Sequence, residues 1–260
     1  MLWQTSVMQP PTIGASALPP PTVSTYGSSG SSNTRPSGAA WNALGDPRIV
    51  CGFSDITALH LALAKHASWT TFYGPTFTRF TRRKDELTDE TKEWFHRAFK
   101  PEPLGRVFED PDDPYVLTVG GGSVEAPIVG GCLTLVAASL GTPYELQTDC
   151  CIVMVEDLNE DPYMIDAHLN HLIDAGKFAN AAGFVFGTDV NLRGQVIPEY
   201  NESTLSIEEV LDELIAPLGI PAVGNIPIGH GKTKVTIPLG AMARLDATGK
   251  TLDILEAGVE

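Results

Sequence analysis

Long hydrophobic runs are missing from this 260-residue chain: nothing approaches the ~18 apolar residues of a membrane-spanning helix. Positive charge is scarce. Lys and Arg total 17 against 32 Asp and Glu, a formal charge of −15. That balance excludes a partner held through its phosphate backbone, which needs clustered cations, so neither nucleic acid nor a membrane is expected as a partner. The N-terminus has no basic region before Arg35, and prolines interrupt its apolar residues, so it does not read as a secretory signal and the expected address is the cytoplasm. The four cysteines, Cys51, Cys132, Cys150 and Cys151, show neither zinc-knuckle nor CxxC spacing and read as buried reduced thiols. His168 and His171 stand at helical i, i+3 spacing that could hold a metal, but no third ligand accompanies them, and they read as helix-face residues.

What is present divides sharply. Residues 1–45 are rich in Ser, Pro, Thr and Gly, show no helical or strand period, and are expected to be disordered. From Asp46 strand and helix signals alternate. Arg48–Cys51 is a short apolar strand, Ile56–Lys65 a helix with Ile56, Leu59 and Leu63 on one face, and Trp69–Tyr73 a strand stopped by Gly74-Pro75. Thr88 caps a helix carrying Trp94, Phe95, Ala98 and Phe99. Residues 100–127, with Pro101, Pro103, Pro111, Pro114 and Gly120-Gly-Gly122, read as a linker or crossover. Helices follow over Leu133–Leu140, over Tyr163–Ala175 and from Ser206 to Leu218, the last with a Ser206/Glu209 capping box. Strands are expected at Ile152–Val155, Gly183–Phe186, Ala222–Asn225, Lys234–Ile237, Ala243–Asp246 and Leu252–Leu255. The fold class is α/β: a partial N-terminal parallel-sheet domain carrying a nucleophile elbow, and a C-terminal α/β domain with a β-rich end. The expected division is a disordered 1–45, a remnant of a nucleophile domain at 46–118, and a C-terminal domain at 119–260.

Three residues at strand ends suggest chemistry. Ser54 lies at a strand–turn–helix corner, Cys51-Gly-Phe-Ser-Asp-Ile-Thr57, which lifts a hydroxyl to a sheet edge and sets the Asp55 amide to donate to an oxyanion. Alone, the same pattern is a helix cap. Glu156 follows the apolar strand ending at Val155 and could equally be a surface loop acid. His230, between Gly229 and Gly231, could serve as a general base or keep a structural hydrogen bond. Together they supply nucleophile, acid and base in the order Ser…Glu…His, the logic of a catalytic triad.

The segments Val50-Cys-Gly-Phe-Ser-Asp-Ile-Thr-Ala-Leu59 and Thr71-Phe-Tyr-Gly-Pro75 resemble the nucleophile region of the LD-carboxypeptidases and the related microcin C self-immunity peptidases. Gly130-Gly-Cys-Leu-Thr-Leu135 with Gly141-Thr-Pro143, Val155-Glu-Asp157 with Pro162-Tyr-Met-Ile-Asp166, and Pro227-Ile-Gly-His-Gly231 with Ile237-Pro-Leu-Gly240 extend the likeness from about Asp46 to the C-terminus. The resemblance implies Ser54 as nucleophile, His230 as base and then acid, Glu156 as its orienting carboxylate, an acyl-enzyme on Ser54, and no metal or other cofactor. It implies a homodimer acting on a small peptide. Either the protein would cut the L,D-bond before a C-terminal D-amino acid in cytosolic murein peptides during peptidoglycan recycling, or it would cleave a peptide-nucleotide antibiotic of the microcin C kind. For the second substrate Tyr200, within Asn191–Thr204, is the candidate stacking aromatic. Two departures stand out. Cys132 occupies the asparagine position of the family's Gly-Gly-Asn-Leu, and residues 1–45 contain no Arg-Gly-Gly-Tyr-Gly-like loop, which in the family donates part of the oxyanion hole. The expectation is an N-terminally truncated or degenerate member, and a catalytically impaired remnant acting only in binding is the contrasting reading. Losing one oxyanion donor costs roughly 100- to 1000-fold in turnover.

Overall fold

The computed structural model describes residues 22–24, 35–37, 48–76, 87–109, 117–158, 160–187, 205–231 and 233–259. Two three-residue strands, β1 (Thr22–Ser24) and β2 (Arg35–Ser37), pair antiparallel within the segment expected to be disordered; the rest of residues 1–45 lies outside the described residues.

β3 (Cys51–Gly52) leads through a single 3₁₀ turn, Ser54–Ile56, into helix α1 (Thr57–Ala67), and β4 (Thr71–Tyr73) follows. The face of α1 differs from the expected one. Thr57, His60, Leu61, Leu63 and Ala67 are buried, whereas Leu59 is 43% exposed. Leucines at 59, 61 and 63 make α1 apolar on more than one side, so spacing alone does not select the packed side.

α2 (Asp89–Ala98) begins at Thr88, whose Oγ1 accepts the Thr91 N–H at 3.1 Å, and it seats Trp94 and Phe99 against the core. Residues 100–127 are not the linker expected from their prolines. They contain β5 (Gly105–Glu109), β6 (Leu117–Gly120) and the start of β7 (Ser123–Cys132). The chain continues as α3 (Leu133–Ala138), β8 (Ile152–Glu156), α4 (Pro162–Asp174), β9 (Gly183–Gly187), α5 (Ile207–Leu214), β10 (Ala222–Ile226), β11 (Ile237–Leu239), β12 (Met242–Asp246) and β13 (Thr251–Ile254).

Eight strands form one mixed sheet in the order β5-β13-β12-β7-β8-β9-β10-β6. β5 and β6 hold its two edges, where only one side of a strand must pair and a weak pattern suffices. β7 joins two regimes. Residues 123–127 run antiparallel to β12, and residues 128–132 run parallel to β8. Pro127, which has no N–H to give, sits at the change of partner. Gly130 (φ 142°) leaves no room for a side chain, since a Cβ there would stand 1.7 Å from the Met154 carbonyl oxygen.

A second sheet of three strands, β11-β4-β3, carries the Ser54 corner. β3 and β4 are parallel, and β11 arrives from far along the chain to pair antiparallel with β4, Ile237 opposite Tyr73. One continuous core links the sheets, with Phe53, Phe72 and Tyr73 packed with Ile128, Met154, Ile226 and Ile237. The mixed α/β class expected from the sequence is the class observed.

Candidate active site

Glu156 closes the parallel strand β8, and Ser54 and His230 lie just past the C-terminal ends of the parallel strands β3 and β10, the edge at which α/β folds gather functional groups. Ser54 has φ 59°, a left-handed backbone that costs a non-glycine residue energy and is retained where surroundings enforce it. Behind the corner, the buried His60 ring donates from Nε2 to the Gly52 carbonyl at 3.0 Å. Because a carbonyl oxygen only accepts, that bond requires a proton on Nε2 of the ring. Burial holds its pKa below the ordinary value, against the opposing pull of the Gly52 bond.

Glu156 is completely buried. A carboxylate there must be matched by donors, and three converge on it. His230 donates from Nδ1 at 2.7 Å and from its backbone N–H at 3.2 Å, both to Oε2, while Tyr73 donates its hydroxyl to Oε1. The His230 side chain is 9% exposed, and its ring meets Phe53 edge-on at 4.8 Å. With the Nδ1 proton given to Glu156, Nε2 carries the lone pair a base requires. Glycine makes the close approach possible. Gly229 has φ 93°, and a Cβ on it would stand 2.1 Å from Glu156 Oε2.

The structure therefore joins two of the three expected residues directly. The third is joined at its backbone: Ser54 donates its N–H to the Tyr73 hydroxyl at 3.1 Å. Among the described residues the Ser54 hydroxyl makes no hydrogen bond to His230. Nucleophile–base contacts are commonly long without substrate and tighten in its presence. Asp55, expected to supply an oxyanion amide, is exposed on the 3₁₀ turn beside Ser54.

Sequence reasoning missed Tyr73 and assigned no role to Asp157. Tyr73 is fully buried, and burial, followed by the neighbouring Glu156 charge, pushes its phenol well above the ordinary tyrosine range, so it remains a donor. An aromatic residue in an apolar strand gives no signal of such a role. Asp157 is buried and accepts from the Thr134 N–H at 2.8 Å, the Thr134 hydroxyl at 2.7 Å and the Leu158 N–H at 2.9 Å, tying the end of β8 to the first turn of α3. Cys132, the departure from the family asparagine, keeps a weak thiol contact to Asp157 at 3.7 Å. His168 lies 3.5 Å from the Thr134 hydroxyl, and no group of His, Cys, Asp or Glu among the described residues could hold a metal. Tyr200 and Asn191–Thr204 lie outside the described residues.

Comparison with known proteins bears on the whole arrangement. Residues 125–245 match the LD-carboxypeptidase C-terminal domain and residues 23–74 the N-terminal domain. The chain belongs to the LD-carboxypeptidase family. The N-terminal match begins before Asp46, inside the segment expected to be disordered. A Bacillus subtilis protein named "Probable murein peptide carboxypeptidase" is 34% identical over 213 residues, which cover 82% of this chain and 64% of that protein. The crystal structure of muramoyltetrapeptide carboxypeptidase from Oxalobacter formigenes superimposes with a TM-score of 0.65 at 28% identity, over 80% of this chain and 68% of that one. MccF, solved in complex with glutamyl sulfamoyl guanosine, has the same fold: TM-score 0.71, 20% identity, 85% and 71% covered. No helix of the described residues of this LD-carboxypeptidase family member is long and apolar enough to cross a membrane.

Proposed function

We propose that this protein is a serine carboxypeptidase that hydrolyses the L,D-peptide bond before a C-terminal D-amino acid in murein peptides, acting in the cytoplasm as a homodimer. The observation that carries the reading is the buried Glu156 carboxylate holding His230 through Nδ1 at 2.7 Å, beside a serine kept in a left-handed corner. In this mechanism Nε2 of His230 takes the Ser54 proton as the hydroxyl oxygen attacks the scissile carbonyl. The same proton passes to the leaving amine, which departs as the free D-amino acid and leaves an acyl-enzyme on Ser54. Water, deprotonated by His230, then releases the shortened peptide. Glu156 remains ionised throughout, fixing the tautomer and opposing the imidazolium charge. The helix-start amide of Asp55 is assigned to the developing oxyanion.

Support also comes from the 34% identity to the Bacillus subtilis protein and its printed name. The test is release of free D-Ala from a muropeptide ending in D-Ala, combined with labelling by a fluorophosphonate serine probe. Ser54→Ala is expected to abolish both. A wild-type protein that neither releases D-Ala nor takes the probe would overturn the reading. Probe labelling without D-Ala release, accompanied by cleavage of an aminoacyl sulfamoyl nucleotide, would move the substrate to the antibiotic class.

A further inference from the structure

Tyr73 touches both halves of the proposed machinery with one atom. Its hydroxyl accepts the Ser54 N–H at 3.1 Å and donates to Glu156 Oε1, while the other oxygen of the same carboxylate takes the Nδ1 proton of His230. The side chain is fully buried and anchored by the β4 ladder to β3 on one side and β11 on the other. Its ring lies 5.9 Å from that of His60, which holds the Gly52 carbonyl two residues before the nucleophile.

We propose that Tyr73 is a positioning residue that locks the left-handed corner of Ser54 to the carboxylate orienting His230, so that nucleophile and base share one reference point. The inference rests on the peptidase reading for its effect on turnover, but not for the linkage itself. A buried phenol cannot leave its carboxylate without stranding it, so the hydroxyl sets the position of Glu156 Oε1 and of the Ser54 backbone at once. It also withdraws part of the Glu156 charge. Removing it returns that charge to the carboxylate, strengthens the hold on the imidazolium, and raises the pH at which His230 gives up its proton. Among the described residues, titratable or charged groups packed around this cluster include His60 on α1, Cys132 on β7, Asp157 after β8, and Lys234, whose ammonium lies 5.7 Å over the Phe53 ring. Changes at position 73 alone leave all four in place.

Two variants act in opposite directions. Tyr73→Phe keeps the ring and deletes the donor. Tyr73→3-fluorotyrosine keeps the hydroxyl and makes it a stronger donor. Nitrogen NMR titration of the His230 imidazole reads the linkage without any substrate. It is expected to show a midpoint raised in the first variant and lowered in the second. D-Ala release reads turnover. Tyr73→Phe should lose about ten- to a hundredfold in kcat with KM held within about twofold, and the acid limb of its pH profile should move up. Midpoints and kcat matching wild type in both variants would overturn the proposal while leaving the peptidase intact. Shifted midpoints in a protein that releases no D-Ala would uphold the linkage and sink the peptidase reading instead. If Tyr73→Phe fails to fold, the nearly isosteric fluorotyrosine variant decides alone: an unmoved midpoint refutes the proposal.

Discussion

Glu156 shows how one side chain constrains its surroundings: a charged group removed entirely from water dictates each contact around it. Glu156→Gln keeps the shape but cannot take the Nδ1 proton as a carboxylate does. On the proposed peptidase reading it is expected to lower kcat for D-Ala release on the order of ten-thousand-fold. Gly229→Ala should be nearly as damaging by a different route, because the added methyl carbon would fall 2.1 Å from Glu156 Oε2 on a backbone already at φ 93°. A loss of about 1–3 kcal/mol from the backbone alone is expected in denaturant unfolding, together with loss of activity. The thiols divide by environment. Burial pushes Cys51 and Cys132 up to about 12, which leaves almost no thiolate near neutrality, whereas Cys150 is exposed. Iodoacetamide at pH 8 should therefore modify Cys150 well before Cys51 or Cys132, as peptide mass mapping would show.

Elements carry the same argument further. Asp157 fastens α3 to the end of β8 with two bonds accepted from Thr134 and takes a third from Leu158, so Asp157→Ala should cost about 1–3 kcal/mol and lower the Tm by several degrees in calorimetry. The sequence disclosed the elements whose patterns are strong. Thr88 and the Ser206/Glu209 box cap the helices they were expected to cap, with bonds of 3.1 Å at Thr88 and of 2.7 and 3.2 Å across the box. Ser54, Glu156 and His230 stand out as candidates because each lies at or just past a strand end, and the structure brings Glu156 and His230 into direct contact. β5, β6 and the start of β7 were hidden by prolines and glycines that flank edge strands or mark a change of partner rather than break the chain. Tyr73 was hidden for a deeper reason. Its partners, Ser54 and Glu156, are 19 and 83 residues away, and no local spacing encodes that meeting.

At the scale of the whole molecule, His60 couples folding to acidity. Its folded-state pKa lies below the ordinary 6.5, so as pH falls past that value the unfolded chain takes the proton first. Stability present above pH 6.5 is lost progressively from there down through the lower folded value. Urea midpoints should drop between pH 7.5 and 5.5 in wild type and drop less in His60→Gln. The sheet that holds Ser54 has an order-of-assembly consequence. β3 and β4 are two and three residues long, too short to stand alone, and their third strand is Ile237–Leu239. During synthesis on the ribosome the serine corner must wait for Ile237–Leu239 to emerge before it acquires its third strand, so the proposed centre cannot assemble from the segment around Ser54 alone.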